Sequence, residues 1–328
     1  MTALSFYDTT ILSLGALFLG IIMLIKGGNW AVDAAVYVAN RYGISPMVIG
    51  FTIIAFGTSL PELVVSISAN LQDSPGIALG NVLGSNIANI LLVLGCSSLF
   101  ITLSTKVNKE LARDLFLMMF STILLAGLLQ YGEISRLSGI LMLATLGVYV
   151  FVQYMTSKDT DFDSEEMEEV LFKNGYFACA TLLIGLICIA VGAEFLVKGA
   201  KVSAGLMGIP ESVIALSIIA FGTSLPELST SIIAARKNQA GMVIGNIIGS
   251  NVFNVLMIMG AAAAARPISQ GSFSPQLASF DIWVTLAVAT ICTIVLMVSG
   301  RISRLTGSLF FLSYIGYNIY IYMANIST

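Results

Sequence analysis

The chain has 328 residues, of which 57% are hydrophobic and 10% charged, with a formal net charge of −3 and no histidine. A soluble domain carries about 25% charged residues, and a mean hydropathy of +0.94 agrees that this chain lacks the polar surface to face water all round. A soluble enzyme, a nucleic-acid binder and a disulfide-stapled secreted domain are excluded, and a polytopic membrane protein is expected.

At roughly 20 apolar residues per span, apolar runs predict helices near 11–40, 45–70, 76–101, 114–131 and 137–155 in the first half. The second half gives 175–202, 209–235, 241–265, 279–299 and 306–324. The run from Ile11 to Ile25 follows no basic segment and precedes no small-residue cleavage site, so a retained span is expected there, not a signal peptide. Between the halves, KDTDFDSEEMEEVLFK holds seven of the 18 acidic residues. Asp159, Asp161 and Asp163 imitate the start of a calcium-binding EF-hand. Ser164 stands where that loop needs Gly, and Val170 where it needs a bidentate Glu, so a solvated acidic linker is expected. Cys96, Cys179, Cys188 and Cys292 form no CxxC pair and are expected to be buried spectator thiols.

The strongest signal is an internal repeat. IIAFGTSLPEL at Ile53 to Leu63 recurs unchanged at Ile218 to Leu228, an offset of 165 residues. The same offset maps Gly80, Asn81, Gly84, Ser85, Asn86 and Asn89 onto Gly245, Asn246, Gly249, Ser250, Asn251 and Asn254. Five spans per half is an odd number, so the second copy enters the bilayer from the opposite side. The expected fold is therefore all-α and integral to the membrane, with ten transmembrane helices as two inverted five-helix repeats. The expected units are 1–155, an acidic cytoplasmic linker at 156–173, and 174–328. Connections after odd-numbered spans hold ten Lys and Arg, including Arg41, Lys106, Arg236 and Arg301; those after even-numbered spans hold four. That bias places the odd loops in the cytoplasm and both termini outside it, in a multi-pass cell-membrane protein.

Glu62 and Glu227 lie within apolar runs with no basic residue nearby in sequence. An intramembrane acid costs about 2.5–3.5 kcal/mol on insertion scales and is by default functional. An inverted repeat brings both acids together near the midplane, where they repel unless a cation neutralises them; a divalent ion matches the charge. Pro61 and Pro226 supply no amide hydrogen to the carbonyls of Gly57 and Gly222. Thr58 and Thr223 stand four residues before their Glu, on the same helical face. Hydroxyl, carbonyl and carboxylate oxygens suit Ca2+; nitrogen or sulfur ligands for a transition metal are missing from the motif. Asn81, Ser85 and Asn89, with Asn246, Ser250 and Asn254, form a polar stripe on each facing helix, so a four-helix centre is expected. The neighbouring glycines read as packing positions, and Asn86 and Asn251 as interhelical hydrogen-bonding groups. Asp33, Glu194, Lys198 and Glu211, near span ends, read as interfacial anchors.

GTSLPE followed by GNxxGSNxxN, occurring twice, resembles the cation/calcium exchanger superfamily, specifically the prokaryotic sodium/calcium exchanger type. The resemblance covers nearly all of the chain and implies a secondary-active antiporter in which Na+ entry drives Ca2+ out by alternating access. Its ligand positions match Glu62, Glu227, Thr58, Thr223, Ser59, Ser224, Ser85, Ser250, Asn89 and Asn254, with backbone carbonyls at Ala55 and Ala220. Potassium-dependent relatives carry Asp where Asn254 stands, which speaks against K+ cotransport here. Proton-coupled relatives carry a GNxxEH motif that this His-free chain lacks, which favours Na+ over H+. The long first and sixth spans, with Gly27, Gly28, Gly192 and Gly199, are expected to slide outside the four-helix centre. The implied partners are the lipid bilayer and the transported Na+ and Ca2+, with no cofactor and no nucleic acid; a monomer is compatible with this. A Ca2+/H+ antiporter using the same two glutamates is the alternative. A cation channel with a Glu ring suits subunit symmetry more than a repeat within one chain. No nucleophile–base pair or phosphate loop suggests an enzyme.

Overall fold

The computed structural model describes residues 3–156, 172, 174–207 and 220–326. The acidic segment at 157–171 and the anchor expected at Glu211 lie outside the described residues. Helix α1 is Ala3–Tyr42, followed by α2 (Pro46–Thr58), α3 (Leu60–Leu71), α4 (Pro75–Phe100), α5 (Lys109–Tyr131) and α6 (Arg136–Thr156). The second half contains α7 (Gly175–Leu206), α8 (Ala220–Thr223), α9 (Leu225–Arg236), α10 (Ala240–Ala265), α11 (Leu277–Ser299) and α12 (Arg304–Ile326). Among the described residues, seven helices are long and apolar enough to cross a membrane, or eight if the bent α2–α3 pair is one span.

Local chemistry marks the element ends. Ser45 accepts the Val48 amide at 3.2 Å and Pro46 occupies the first turn, where its missing N–H is harmless. Asn108 accepts the Leu111 amide at 2.9 Å to start α5. Gly132 and Gly300 close α5 and α11 in the left-handed conformation that glycine adopts without a Cβ penalty.

Four two-residue strands tie the halves together reciprocally. β1 (Leu103–Ser104), after α4, pairs antiparallel with β4 (Arg301–Ile302), before α12. β3 (Ile268–Ser269), after α10, pairs in the same way with β2 (Glu133–Ile134), before α6. The helix packing repeats this exchange. A Cβ added at Gly95 of α4 would lie 3.0 Å from the Gly307 carbonyl oxygen of α12, and one at Gly260 of α10 would lie 3.1 Å from that of Gly139 on α6.

Helices α4 and α10 form the centre. In their most apolar stretches 78% and 89% of residues are buried, against 28% in both α1 and α7. Apolar residues exposed on α1, such as Ile11, Leu12 and Phe18, form an outer surface suited to lipid. Of the cysteines expected to be buried, only Cys292 is fully so; Cys179 is exposed, because it sits on the outer face of α7. At roughly 1.5 Å per residue α1 is about 60 Å long, well beyond the hydrocarbon core of about 30 Å.

Helices α1 and α7 lie along one another with small residues between them. Added Cβ atoms at Gly20, Gly27, Gly192 and Gly199 would all approach the opposite helix to 2.7–2.8 Å. Gly28, also on the first long span, faces elsewhere: its added Cβ would meet Ile233 of α9 at 2.3 Å. One residue on from Gly27 is a rotation of about 100°, which turns it away from α7. Gly245 and Gly249 serve as the packing glycines expected, since Cβ atoms there would lie 2.1 and 2.3 Å from the Met47 and Phe51 carbonyl oxygens of α2.

Candidate cation site

The chain bends by 46° between α2 and α3. The break falls at Ser59 (φ −86°, ψ 1°), with Pro61 in the first turn of the helix that follows. Ser224 (φ −88°, ψ 4°) and Pro226 stand in the same relation to α9. The ladder continues to the break with the Ser59 amide donating to the Ala55 oxygen at 3.0 Å, and resumes with Leu63 donating to Ser59 at 3.1 Å. Pro61, which lacks an N–H, follows the Gly57 carbonyl by four residues, as the sequence implies. Each restart places a glutamate, Glu62 or Glu227, in the first turn of a new helix. There the partial positive charge of the unpaired amides favours an anion.

Both acids are buried, at 1% and 2% exposure. Although 165 residues apart in sequence, they interact electrostatically. Thr58 and Ser59, from the first half, direct their hydroxyls to Glu227 of the second, with Ser59 Oγ 3.5 Å from Glu227 Oε1. Thr58 Oγ1 also lies 3.4 Å from the Ala55 carbonyl oxygen, one of the two backbone positions expected to bind cation. Its counterpart Ala220 begins α8, three residues before Thr223.

The unpaired oxygens are concentrated at these positions. Eleven buried side-chain oxygens among the described residues have no hydrogen-bond partner in the protein. Seven belong to expected ligands: Glu62 Oε2, Glu227 Oε2, Ser85 Oγ, Ser250 Oγ, Ser224 Oγ, Asn89 Oδ1 and Asn254 Oδ1. Burying an unpartnered polar group is costly, and burying a charge more so. A cation coordinated by these oxygens removes that cost, and an all-oxygen donor set suits Ca2+ or Na+.

The expected polar stripe divides by role. Asn81 turns to α3, donating to Ser66 Oγ at 2.9 Å and approaching the Glu62 carbonyl oxygen at 3.4 Å. Asn246 turns to α9, donating to Ser231 Oγ at 3.1 Å. These outer asparagines join helices through Nδ2, although Asn246 Oδ1 is itself unpartnered; Ser85, Asn89, Ser250 and Asn254, one or two turns further on, hold the other unpartnered oxygens of the stripe. The anchors expected at the periphery are ion-paired: Glu194 with Lys198 at 2.6 Å, and Asp33 with Lys237.

Two features escaped the sequence reasoning. Helices α4 and α10 each widen into a π-helical turn, Asn89–Leu94 and Asn254–Met259, beginning on an expected ligand. Such turns recur at functional sites, and no residue pattern in the sequence marks them. Two further acids are buried as well. Asp114 accepts from Tyr149 and from Gln153 at 3.4 Å, and pairs with Arg113 at 3.2 Å; Asp281 accepts from Tyr317 at 2.9 Å. The rule that singled out Glu62 applies to Asp281 but not to Asp114, which directly follows Arg113, and their spacing of 167 residues differs from the 165-residue offset of the repeat.

Compared with known proteins, residues 12–155 and 177–323 match the family described as sodium/calcium exchanger protein. An uncharacterized membrane protein of Methanocaldococcus jannaschii is 36% identical over 308 residues, covering 93% of this chain and 96% of that protein. The sodium/calcium exchanger MaX1 of Methanosarcina acetivorans is 31% identical over 348 residues, covering 93% of this chain and 97% of its own length. A solved structure of the sodium-calcium exchanger NCX_Mj, soaked with Na+ and Sr2+, superimposes with a TM-score of 0.80 at 32% identity, covering 93% of this chain and 97% of that one. The chain belongs to the sodium/calcium exchanger family of membrane ion antiporters.

Proposed function

We propose that this protein exchanges Na+ for Ca2+ across the cell membrane by alternating access, using one site that the two ions occupy in turn. The observation that carries this reading is the set of unpartnered buried oxygens shared between α3, α4, α9 and α10, with a glutamate from each half. The proposed ligands are Glu62, Thr58, Ser59, Ser85, Asn89 and the Ala55 carbonyl, with Glu227, Thr223, Ser224, Ser250, Asn254 and the Ala220 carbonyl. Relatives named as sodium/calcium exchangers support Na+ as the coupling ion.

The architecture that suits this function is ten spans in two inverted repeats, 1–155 and 174–328, joined by an acidic cytoplasmic linker, with both termini outside. Reciprocal strand pairing and the exchanged glycine contacts support that arrangement. Ca2+ neutralises both carboxylates at once, whereas several Na+ must share them with hydroxyl and carbonyl oxygens. With no ion bound, the acids repel within a low dielectric. That state resists the conformational switch, which enforces exchange over leak.

The test is 45Ca2+ uptake into proteoliposomes with Na+, K+ and proton gradients imposed separately. Uptake that requires internal Na+ and ignores K+ is expected. Uptake driven by a pH gradient without Na+ would transfer the same two glutamates to Ca2+/H+ exchange. A non-saturating flux without a counter-ion would indicate a channel.

A further inference from the structure

Asn89 and Asn254 each present an amide to the site, and an amide has two unlike ends. Its oxygen attracts a cation, while its NH2 carries partial positive charge and repels one. The order of donors and acceptors around these side chains decides which end faces the site.

The order starts from groups that can only accept. The Asn251 backbone oxygen lies 3.4 Å from one end of the Asn86 amide, so that end is Nδ2. Asn86 Oδ1 therefore faces the other way, and it accepts Asn254 Nδ2 at 2.9 Å. With its NH2 committed, Asn254 is left with Oδ1 free of protein partners. The second half of the network runs in the opposite sense. The Met118 thioether, an acceptor, lies 3.8 Å from Asn251 Nδ2. Asn251 Oδ1 accepts Asn89 Nδ2 at 3.1 Å, and Asn89 Oδ1 is free of protein partners. All four side chains are at most 2% exposed, so water does not compete for these bonds.

We propose that Asn86 and Asn251 are positioning residues for cation binding: they lock the Asn254 and Asn89 amides with oxygen, never NH2, toward the transported ion. The inference rests on the proposed exchange site and extends it by two residues that need not touch the ion. Each positioning residue orients a ligand that begins a π-helical turn in the opposite half. The two half-sites are thereby set together.

The test is 45Ca2+ binding to the purified full-length protein, displaced by Na+. Asn86→Ala frees the Asn254 amide to turn and should raise the Ca2+ concentration for half-saturation roughly tenfold, the low end for groups that orient a metal ligand. Asn254→Asp presents oxygen at both ends and has no orientation to lose. Adding Asn86→Ala to Asn254→Asp should therefore shift half-saturation less than about twofold. Asn251→Ala, alone and with Asn89→Asp, gives the same comparison in the other half if Asn86→Ala does not fold.

Equal shifts in both backgrounds would reduce these residues to packing and overturn the proposal. So would an unchanged half-saturation in both Ala variants, or loss of Ca2+ binding by Asn254→Asp alone. If the unsubstituted protein binds no Na+-displaceable Ca2+, the exchange reading itself fails. If it does bind and Asn86→Ala and Asn251→Ala match it, only the positioning role fails.

Discussion

Placing one methyl group in the seam between α1 and α7 tests how the two long helices meet. Gly20 and Gly27 on α1, and Gly185, Gly192 and Gly199 on α7, recur every seven residues. Residues seven apart drift only about 20° around a helix, so each set stays on one face. In Gly20→Ala the new Cβ would lie 2.7 Å from both the Gly192 carbonyl oxygen and the Leu196 amide nitrogen. Both obstructing atoms are backbone, so no rotamer change relieves the overlap. Reaching ordinary contact near 3.4 Å means moving the helices apart locally by about 0.7 Å, enough to forfeit a quarter to a half of the dispersion energy of adjoining contacts.

Overpacking of this kind costs about 1–3 kcal/mol. Alanine also raises helix propensity by up to about 1 kcal/mol, and Gly15→Ala isolates that gain. Gly15 lies on the same helix, is exposed, and has no described atom within 4 Å of an added Cβ. In detergent, Gly20→Ala should melt about 2–6 °C below Gly15→Ala. Half-saturation by Ca2+ should be the same in both, because the added methyl meets the Gly192 carbonyl and Leu196 amide and none of the proposed ligands. If α1 and α7 slide during transport, the maximal exchange rate of Gly20→Ala falls as well. Equal melting temperatures for the two variants would refute the close backbone approach.

Asn70→Ala should destabilise the protein by about 1–3 kcal/mol, seen as a lower melting temperature. Asn70 Nδ2 donates at 2.8 and 2.7 Å to the Ala262 and Arg266 carbonyls where α10 ends, and the alanine variant leaves the second without this partner. An unchanged melting temperature would show that water or another group satisfies that helix end. Tyr149→Phe should cost a similar amount, since the fully buried Asp114 loses its phenol donor. Equal stability of the phenylalanine variant would mean that Arg113 and Gln153 suffice.

The candidate cation site is legible in the sequence because the same constraint is written twice. A buried glutamate after a Gly-Thr-Ser-Leu-Pro break is costly, and its recurrence 165 residues later points to one shared task. The break at Ser59 follows from proline chemistry that a sequence displays directly, and the burial of Glu62 and Glu227 from the apolar runs around them. Ser85 and Asn89 were legible from their helical spacing, but Asn81, on the same stripe, was not separable from them. Its role depends on Ser66 standing opposite, a fact of packing. The same is true of Gly28, which is turned to α9 by the crossing of helices.

Asn86 and Asn251 show most clearly what spacing cannot supply. Their expected role as hydrogen-bonding groups between helices agrees with the contacts seen. Which end of each amide donates depends on a backbone carbonyl and a thioether from other turns and helices. Asp114 and Asp281 fall outside the 165-residue offset of the repeat, and that each is satisfied by a tyrosine from a different helix is again a fact of packing.

The central claim is that Glu62 and Glu227 jointly hold the exchanged ion. It is tested most directly by Na+-driven 45Ca2+ uptake in Glu62→Gln and Glu227→Gln, each reconstituted after its melting transition has been shown to match the unsubstituted protein. Glutamine keeps the shape and an oxygen but removes the charge, so uptake should fall to background in both variants. Sustained Na+-driven uptake in both would mean that the ion crosses elsewhere.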